Sequence, residues 1–222
     1  MYFSLIPVPI YIALIVLYMI ARNRNDLKKT TFIQPALTFL ALIIAGLSLL
    51  SPQADRSYTI WILAGLGLCF LADIFNIDMT NDKILYAAIA VFVVAYLEYA
   101  LTFTHFNGFH WQDLIVALVF ILIYILLMRL YWKGLGSFKV PILIYGLVMP
   151  FMVTRAISTL FGSVFSTVSA LLVTTGCTLI FLGDVEYGMH RFHKPLKFFF
   201  GPICYAGGQL LIALSCSYFL LH

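Results

Sequence analysis

The chain predicts an all-α membrane protein of eight transmembrane helices, and three observations carry that prediction. Hydrophobic residues make up 63% of its 222 positions and charged ones only 10%, with a mean hydropathy of +1.04, which excludes an ordinary water-soluble domain. Eight apolar runs each have the roughly 17–25 residues that a helix needs to cross about 30 Å of hydrocarbon. Basic residues gather on alternate connections, as the positive-inside rule requires of a multi-pass chain.

The spans follow in order. Phe3 to Ala21 is apolar and has no basic flank before it but Arg22, Arg24, Lys28 and Lys29 after it, so it reads as a retained anchor rather than a cleaved signal peptide. Phe32 to Leu50 opens on Phe32-Ile33-Gln34-Pro35, a proline tolerated early in a helix because its missing N–H would lack a partner there. Tyr58 to Ile77 contains Asp73 near its end, and Ile84 to Phe103 contains Glu98. Leu114 to Trp132 is the fifth span, and Val140 to Leu160, which opens on Phe138-Lys139-Val140-Pro141, contains Arg155. Val164 to Asp184 ends on its aspartate, and Phe198 to Leu221 contains Tyr205 and Gln209. The connections are short and polar, so residues 1–222 read as a single transmembrane domain with its backbone bonds satisfied inside helices.

With the N-terminus outside, the inner loops hold nearly every basic residue outside the spans and the outer side holds Arg56, which places both termini outside. The net charge of +4 is met by anionic membrane lipids and calls for no nucleic-acid partner. Cys69, Cys177, Cys204 and Cys216 lie in apolar spans without a CxxC pair, which fits packing thiols rather than disulfide or metal chemistry.

One phrase occurs twice at the inner end of a span: Phe70-Leu71-Ala72-Asp73-Ile74 and Phe181-Leu182-Gly183-Asp184-Val185. An ionised carboxylate near hydrocarbon costs several kcal/mol unless solvated or paired. Either each is solvated at head-group level or caps a neighbour, or the two share a pocket. Recurrence after an unbroken apolar turn favours the pocket. Asn76 shares the Asp73 helix face and is placed to orient it, while Asp78 falls in the loop. The two proline openings and the two aspartate phrases together fit a parallel 4+4 helix duplication.

The remaining polar residues have simpler expectations. Glu98 and Arg155 both fall in the outer half, where a structural ion pair between them is favoured over catalysis, with a place on the far wall of a polar cavity as the alternative. Glu186 and Tyr187 are expected to meet solvent. His190 and His193 have a spacing that a metal can use, but a metal needs further ligands and Arg191, Lys194 and Lys197 would repel it. A basic loop facing lipid phosphate is the better reading, and no metal or cofactor is implied.

Several segments resemble the YhhN-like lysoplasmalogenase family of eight-helix membrane proteins. Gly65-Leu66-Gly67-Leu68-Cys69-Phe70-Leu71-Ala72-Asp73 is similar to its "GLxFSxxGD" segment, and Phe181 to Val185 with Arg191-Phe192 and Lys194-Pro195 to its "FxxSDxxLAxxRF" segment. Tyr205-Ala206-Gly207-Gly208-Gln209-Leu210-Leu211-Ile212-Ala213 resembles its "YYxAQxLIA" helix, Gln34-Pro35 stands at its Lys-Pro, and Met149 with Arg155-Ala156 resembles its sixth helix. Ala72, Gly183, Gln34 and Tyr96 replace the family's Gly, Ser, Lys and a His in the fourth helix.

The resemblance implies a hydrolase that cleaves the vinyl ether bond of a lysophospholipid, releasing a fatty aldehyde and glycerophospho-ethanolamine or -choline in a bacterial inner membrane. Protonating the outer alkene carbon creates an oxocarbenium ion, so the chemistry asks for one carboxylic acid and one carboxylate, as in glycoside hydrolysis. Asp73 and Asp184 are the expected pair, titrating together. Asn76, Arg155, Glu98, Arg191, Lys194, Tyr205 and Gln209 are the expected substrate-binding residues. A proton-coupled lipid transporter or flippase could use the same carboxylates, and a noncatalytic membrane protein could use them for packing. No serine has the nucleophile-elbow context of a Ser-His-Asp hydrolase, and the spans lack the histidines of a seven-helix zinc amidase.

Overall fold

The long apolar runs become helices, several of which begin where a side chain takes up a free backbone N–H of the first turn. In the computed structural model, which describes residues 3–24, 26–51, 54–75, 81–194 and 200–219, a short 3-10 turn at Phe3–Leu5 leads into α1 (Val8–Asn23). Asp26 caps α2 (Leu27–Ser48) by accepting the Lys29 N–H at 3.2 Å, and Asp55 accepts the Tyr58 N–H at the start of α3 (Arg56–Phe75). Asn81 caps α4 (Asp82–Asn107), which stops at Gly108 where φ is +70°, a backbone conformation that glycine adopts without strain. Next come α5 (Gln112–Tyr131) and α6 (Lys139–Ser158), then α7 (Thr167–Phe192) with Ser166 as its cap, and α8 (Gly201–Tyr218).

Seven of these helices, the first taken together with its leading 3-10 turn, are long and apolar enough to cross a membrane; α8, 18 residues long, is more polar and carries Gln209. Exposed residues such as Leu114, Leu118, Leu122 and Leu126 line one face of α5 at four-residue spacing, an apolar surface suited to lipid rather than water. The chain is therefore a multi-pass, all-helical membrane protein in its described residues.

Two expectations about boundaries are corrected. Asp26 starts α2 five residues before Phe32, so Pro35 lies inside the helix rather than at its opening. α7 runs on to Phe192, eight residues beyond Asp184, so Asp184 sits two turns within a helix instead of ending one.

The packing repeats with an offset of four helices. α1 packs on α2, α2 on α3 and α3 on α4; likewise α5 packs on α6, α6 on α7 and α7 on α8. The halves join reciprocally, α4 against α6 and α8 against α2. Glycines set the closest approaches. A Cβ on Gly65 of α3 would strike Glu98 and Tyr99 of α4, and one on Gly176 of α7 would meet the Gly208 carbonyl of α8. Gly65 and Gly176 each stand eight residues before an aspartate, so the close crossing and the carboxylate keep one spacing in both halves.

Candidate active site

Asp73 near the end of α3 is 2% exposed, and both of its oxygens are occupied. Oδ1 accepts the Gln34 side-chain amide at 3.0 Å; Oδ2 accepts the Thr38 hydroxyl at 2.6 Å and the Tyr205 hydroxyl at 3.1 Å. Gln34 and Thr38 are one turn apart on α2 and so share a face. The Tyr18 hydroxyl donates to Gln34 Oε1 at 3.3 Å, which leaves the amide nitrogen turned to the carboxylate. Three donors replace the hydration that burial removes from Asp73.

Asp184 on α7 is half-buried and differently served. The Tyr96 hydroxyl at 2.7 Å and the Tyr145 hydroxyl at 2.6 Å both donate to Oδ2, leaving Oδ1 outside that pair of bonds. The arrangement again repeats across the halves. Asp73 on α3 receives a tyrosine from α8 and partners from α2, while Asp184 on α7 receives a tyrosine from α4 and a partner from α6. The site thus lies where both aspartate helices meet the reciprocal joins of the bundle. Gly183 matters for this packing, because a Cβ there would press on the Gly201 carbonyl of α8.

Both aspartates line one cavity of about 670 Å³, within the range of about 300–1,000 Å³ usual for a small-molecule site. Its inner wall is apolar, with Leu85, Ile89 and Phe92 of α4 facing Leu127 and Met128 of α5 and Met149 of α6. Toward the helix ends that carry the basic loops it is lined by Arg22, Thr30, His190 and Arg191. Two interior prolines add acceptors. Pro35 and Pro150 lack the N–H groups that would bond the carbonyls of Thr31 and Gly146, and both of those residues line the cavity. Carboxyls, freed carbonyls and an apolar chamber together suit a ligand with a polar head and a hydrocarbon chain.

The other expected site residues divide. Tyr205 is in the constellation through its bond to Asp73, and Arg191 lines the mouth, 3.6 Å from Asp82. Gln209, one turn beyond Tyr205, accepts the Tyr99 hydroxyl at 3.3 Å in the packed interior and does not line the cavity. Lys194 is exposed past the end of α7 and is not a lining residue, and Asn76, with Asp78 and Lys197, lies outside the described residues.

The expected ion pair between Glu98 and Arg155 is not formed. Arg155, 1% exposed at the opposite end of the bundle, donates to Asp113 at 2.5 Å, to the Thr104 hydroxyl at 2.8 Å and to the Gly108 carbonyl, and it lies 4.4 Å over the Phe109 ring. Glu98 accepts the Thr102 hydroxyl at 2.9 Å on its own helix and faces Gly65. The physical reason is reach: Asp113 at the start of α5 stands beside the end of α6, whereas Glu98 turns toward α3. Neither Glu98 nor Arg155 lines the cavity.

Glu186 is likewise buried rather than exposed, because α7 continues beyond it. It accepts the Gly201 N–H, capping α8, and lies 3.3 Å from His190. Thr38 and Tyr145 are partners of the aspartates that the sequence does not single out. A tyrosine or threonine in a span is ordinary packing until a carboxylate is seen against it, although Tyr96 had stood out as a replacement for histidine.

The sequence model of the YhhN family matches residues 29–216. No curated protein and no solved structure matches the chain.

Proposed function

The chain belongs to the YhhN family, and from that premise we propose that it hydrolyses the vinyl ether bond of lysoplasmalogens, yielding a fatty aldehyde and glycerophospho-ethanolamine or -choline. The observation that carries this reading is the unequal provision for two aspartates facing one amphipathic cavity. Vinyl ether cleavage needs one carboxyl with a proton to give and one that holds negative charge throughout.

Asp184 is the acid. Its Oδ1 carries the proton, and Tyr96 and Tyr145 on Oδ2 stabilise the negative charge that appears as the proton leaves. The proton adds to the outer alkene carbon, whose π electrons form the new C–H bond and leave an oxocarbenium ion. Asp73, with donors on both oxygens, faces that cation as a carboxylate. Water adds to the oxocarbenium carbon and yields its proton to Asp184, restoring the acid. The hemiacetal then loses its hydroxyl proton as the C–O bond to glycerol breaks and the glycerol oxygen is protonated, giving aldehyde and alcohol.

The repeated packing and repeated aspartate phrases support a 4+4 duplication as the origin of the paired site. The basic connections support a bacterial inner membrane orientation with both termini outside.

The test is to follow aldehyde from purified protein given a lysoplasmenyl-ethanolamine and, separately, an ester lysophospholipid, in H₂O and D₂O. Aldehyde from the first alone, carrying one deuterium at the carbon beside the carbonyl when quenched early in D₂O, is expected. Movement of intact lipid across sealed vesicles without aldehyde would favour the transporter instead.

A further inference from the structure

The cavity mouth contains a charge arrangement that the acid chemistry does not use. Glu186 is 1% exposed, yet it lines the cavity region and is placed between the Gly201 N–H and the His190 imidazole, 3.3 Å away. A carboxylate so deeply buried is balanced by the helix N-terminus it caps and by the imidazole it backs with negative charge. His190 lines the mouth with that carboxylate close behind it. Arg191, next in sequence, lines the same mouth, and its partner Asp82 is 61% exposed, a solvent-screened pair that a better anion can displace. From the other side comes Arg22, in the last turn of α1, beside the Tyr18 hydroxyl one turn earlier. Tyr18 donates to Gln34, and Gln34 to Asp73. The acidic groups facing this region are Glu186 and Asp82, with Asp73 and Asp184 deeper.

We propose that Arg22, His190 and Arg191 form a seat for a phosphate group, and that the spacing of this seat from the aspartates selects lipids whose phosphate is joined through glycerol to the bond being cut. The choice of bond rests on the hydrolase reading, and length sets the register. Arg191 is seven residues beyond Asp184 on one helix, a rise of about 10 Å. An extended glycerol linkage from phosphorus to the alkenyl carbon runs through roughly six bonds, about 7 Å at the advance per bond of an extended chain. Arginine side chains at the seat cover the difference, so a phosphate held there puts the alkenyl carbon beside Asp184 and the hydrocarbon tail in the chamber between α4 and α5. A neutral alkenylglycerol has nothing to hold at the mouth and loses that register. Arginine suits the task because its planar fork pairs with two phosphate oxygens at once.

The experiment measures binding rather than turnover. Detergent-solubilised full-length protein is titrated calorimetrically with a saturated 1-O-hexadecyl-glycerophosphoethanolamine, which has no vinyl ether to cleave, and with 1-O-hexadecylglycerol. The expected result is at least tenfold tighter binding of the phosphorylated lipid. That preference should fall to within twofold in the Arg22→Gln/Arg191→Gln double variant, whose unchanged affinity for the neutral lipid reports an intact chamber. His190→Gln should lose part of the preference. Inorganic phosphate at millimolar concentration should compete with the phosphorylated lipid and leave the neutral one untouched, which separates a headgroup-linked phosphate from free phosphate as the tighter ligand. Equal binding of the two lipids by the unaltered protein, or a preference that survives the double variant, would overturn the seat. Absence of aldehyde formation with the preference intact would remove the hydrolase reading and leave the seat standing.

Discussion

Replacing Asp73 by asparagine removes a charge while preserving shape, and the hydrogen bonds around it make the substitution readable. Gln34 donates an amide N–H to Oδ1, which the asparagine carbonyl still accepts. The hydroxyls of Thr38 and Tyr205 donate to Oδ2 and can each rotate to accept from the new NH₂ instead, so the carboxamide keeps partners on both of its ends. What the variant lacks is the negative charge opposite the oxocarbenium ion. A carboxylate about 4 Å from a unit positive charge is worth about 4 kcal/mol at the effective dielectric of a protein site. At about 1.4 kcal/mol per factor of ten, Asp73→Asn should lower the rate of aldehyde release by about three orders of magnitude. The assay is initial-rate aldehyde formation from lysoplasmenyl-ethanolamine, with thermal unfolding monitored to show that the variant is folded. A folded Asp73→Asn protein that keeps a tenth or more of the original kcat/KM would refute the reasoning, since the charge would then not face the transition state.

The remaining predictions touch other parts of the molecule. Tyr96→Phe and Tyr145→Phe each remove a donor from the oxygen that gains charge as Asp184 gives up its proton, so each should cost about 1.5–3 kcal/mol in kcat, roughly ten- to a hundredfold, with little change in KM. Arg155→Met strands Asp113 and should destabilise the fold by about 3–5 kcal/mol in denaturation experiments, while the kcat of the molecules that remain folded is unaltered. Gly208→Ala places a Cβ 2.5 Å from the Gly176 carbonyl, forcing α7 and α8 apart. It should lower stability by about 1–3 kcal/mol and weaken activity as Tyr205 moves from Asp73, which unfolding curves and aldehyde rates would register together.

Much of this site was legible in the residues themselves. The two aspartate phrases announced a pair because an ionisable group in a span has few stable alternatives, and both do line one cavity. Tyr205 was named from its segment and does reach Asp73. What could not be read was which neutral side chains face inward. Thr38 and Tyr145 carry no sequence signal beyond being polar in a span, and their roles follow from the packing of α2 on α3 and of α6 on α7. The Glu98–Arg155 expectation failed for the same reason: depth in the bilayer can be counted along a chain, but azimuth around a helix axis and the identity of the neighbour cannot. Glu186 was misjudged because α7 outlasts its apolar run by two turns, carried by packing rather than hydropathy.

Hydropathy settles the class, an all-helical multi-pass membrane protein, because the cost of exposing backbone polar groups to lipid is large and local along the chain. The tertiary structure alone decides that Asp73 has three donors and Asp184 two tyrosines on one oxygen, and that Arg155 belongs to Asp113. Those outcomes depend on glycine-set approaches between helices distant in sequence, and hydrogen bonds of about 3 Å are made or missed by rotations that leave every apolar run unchanged.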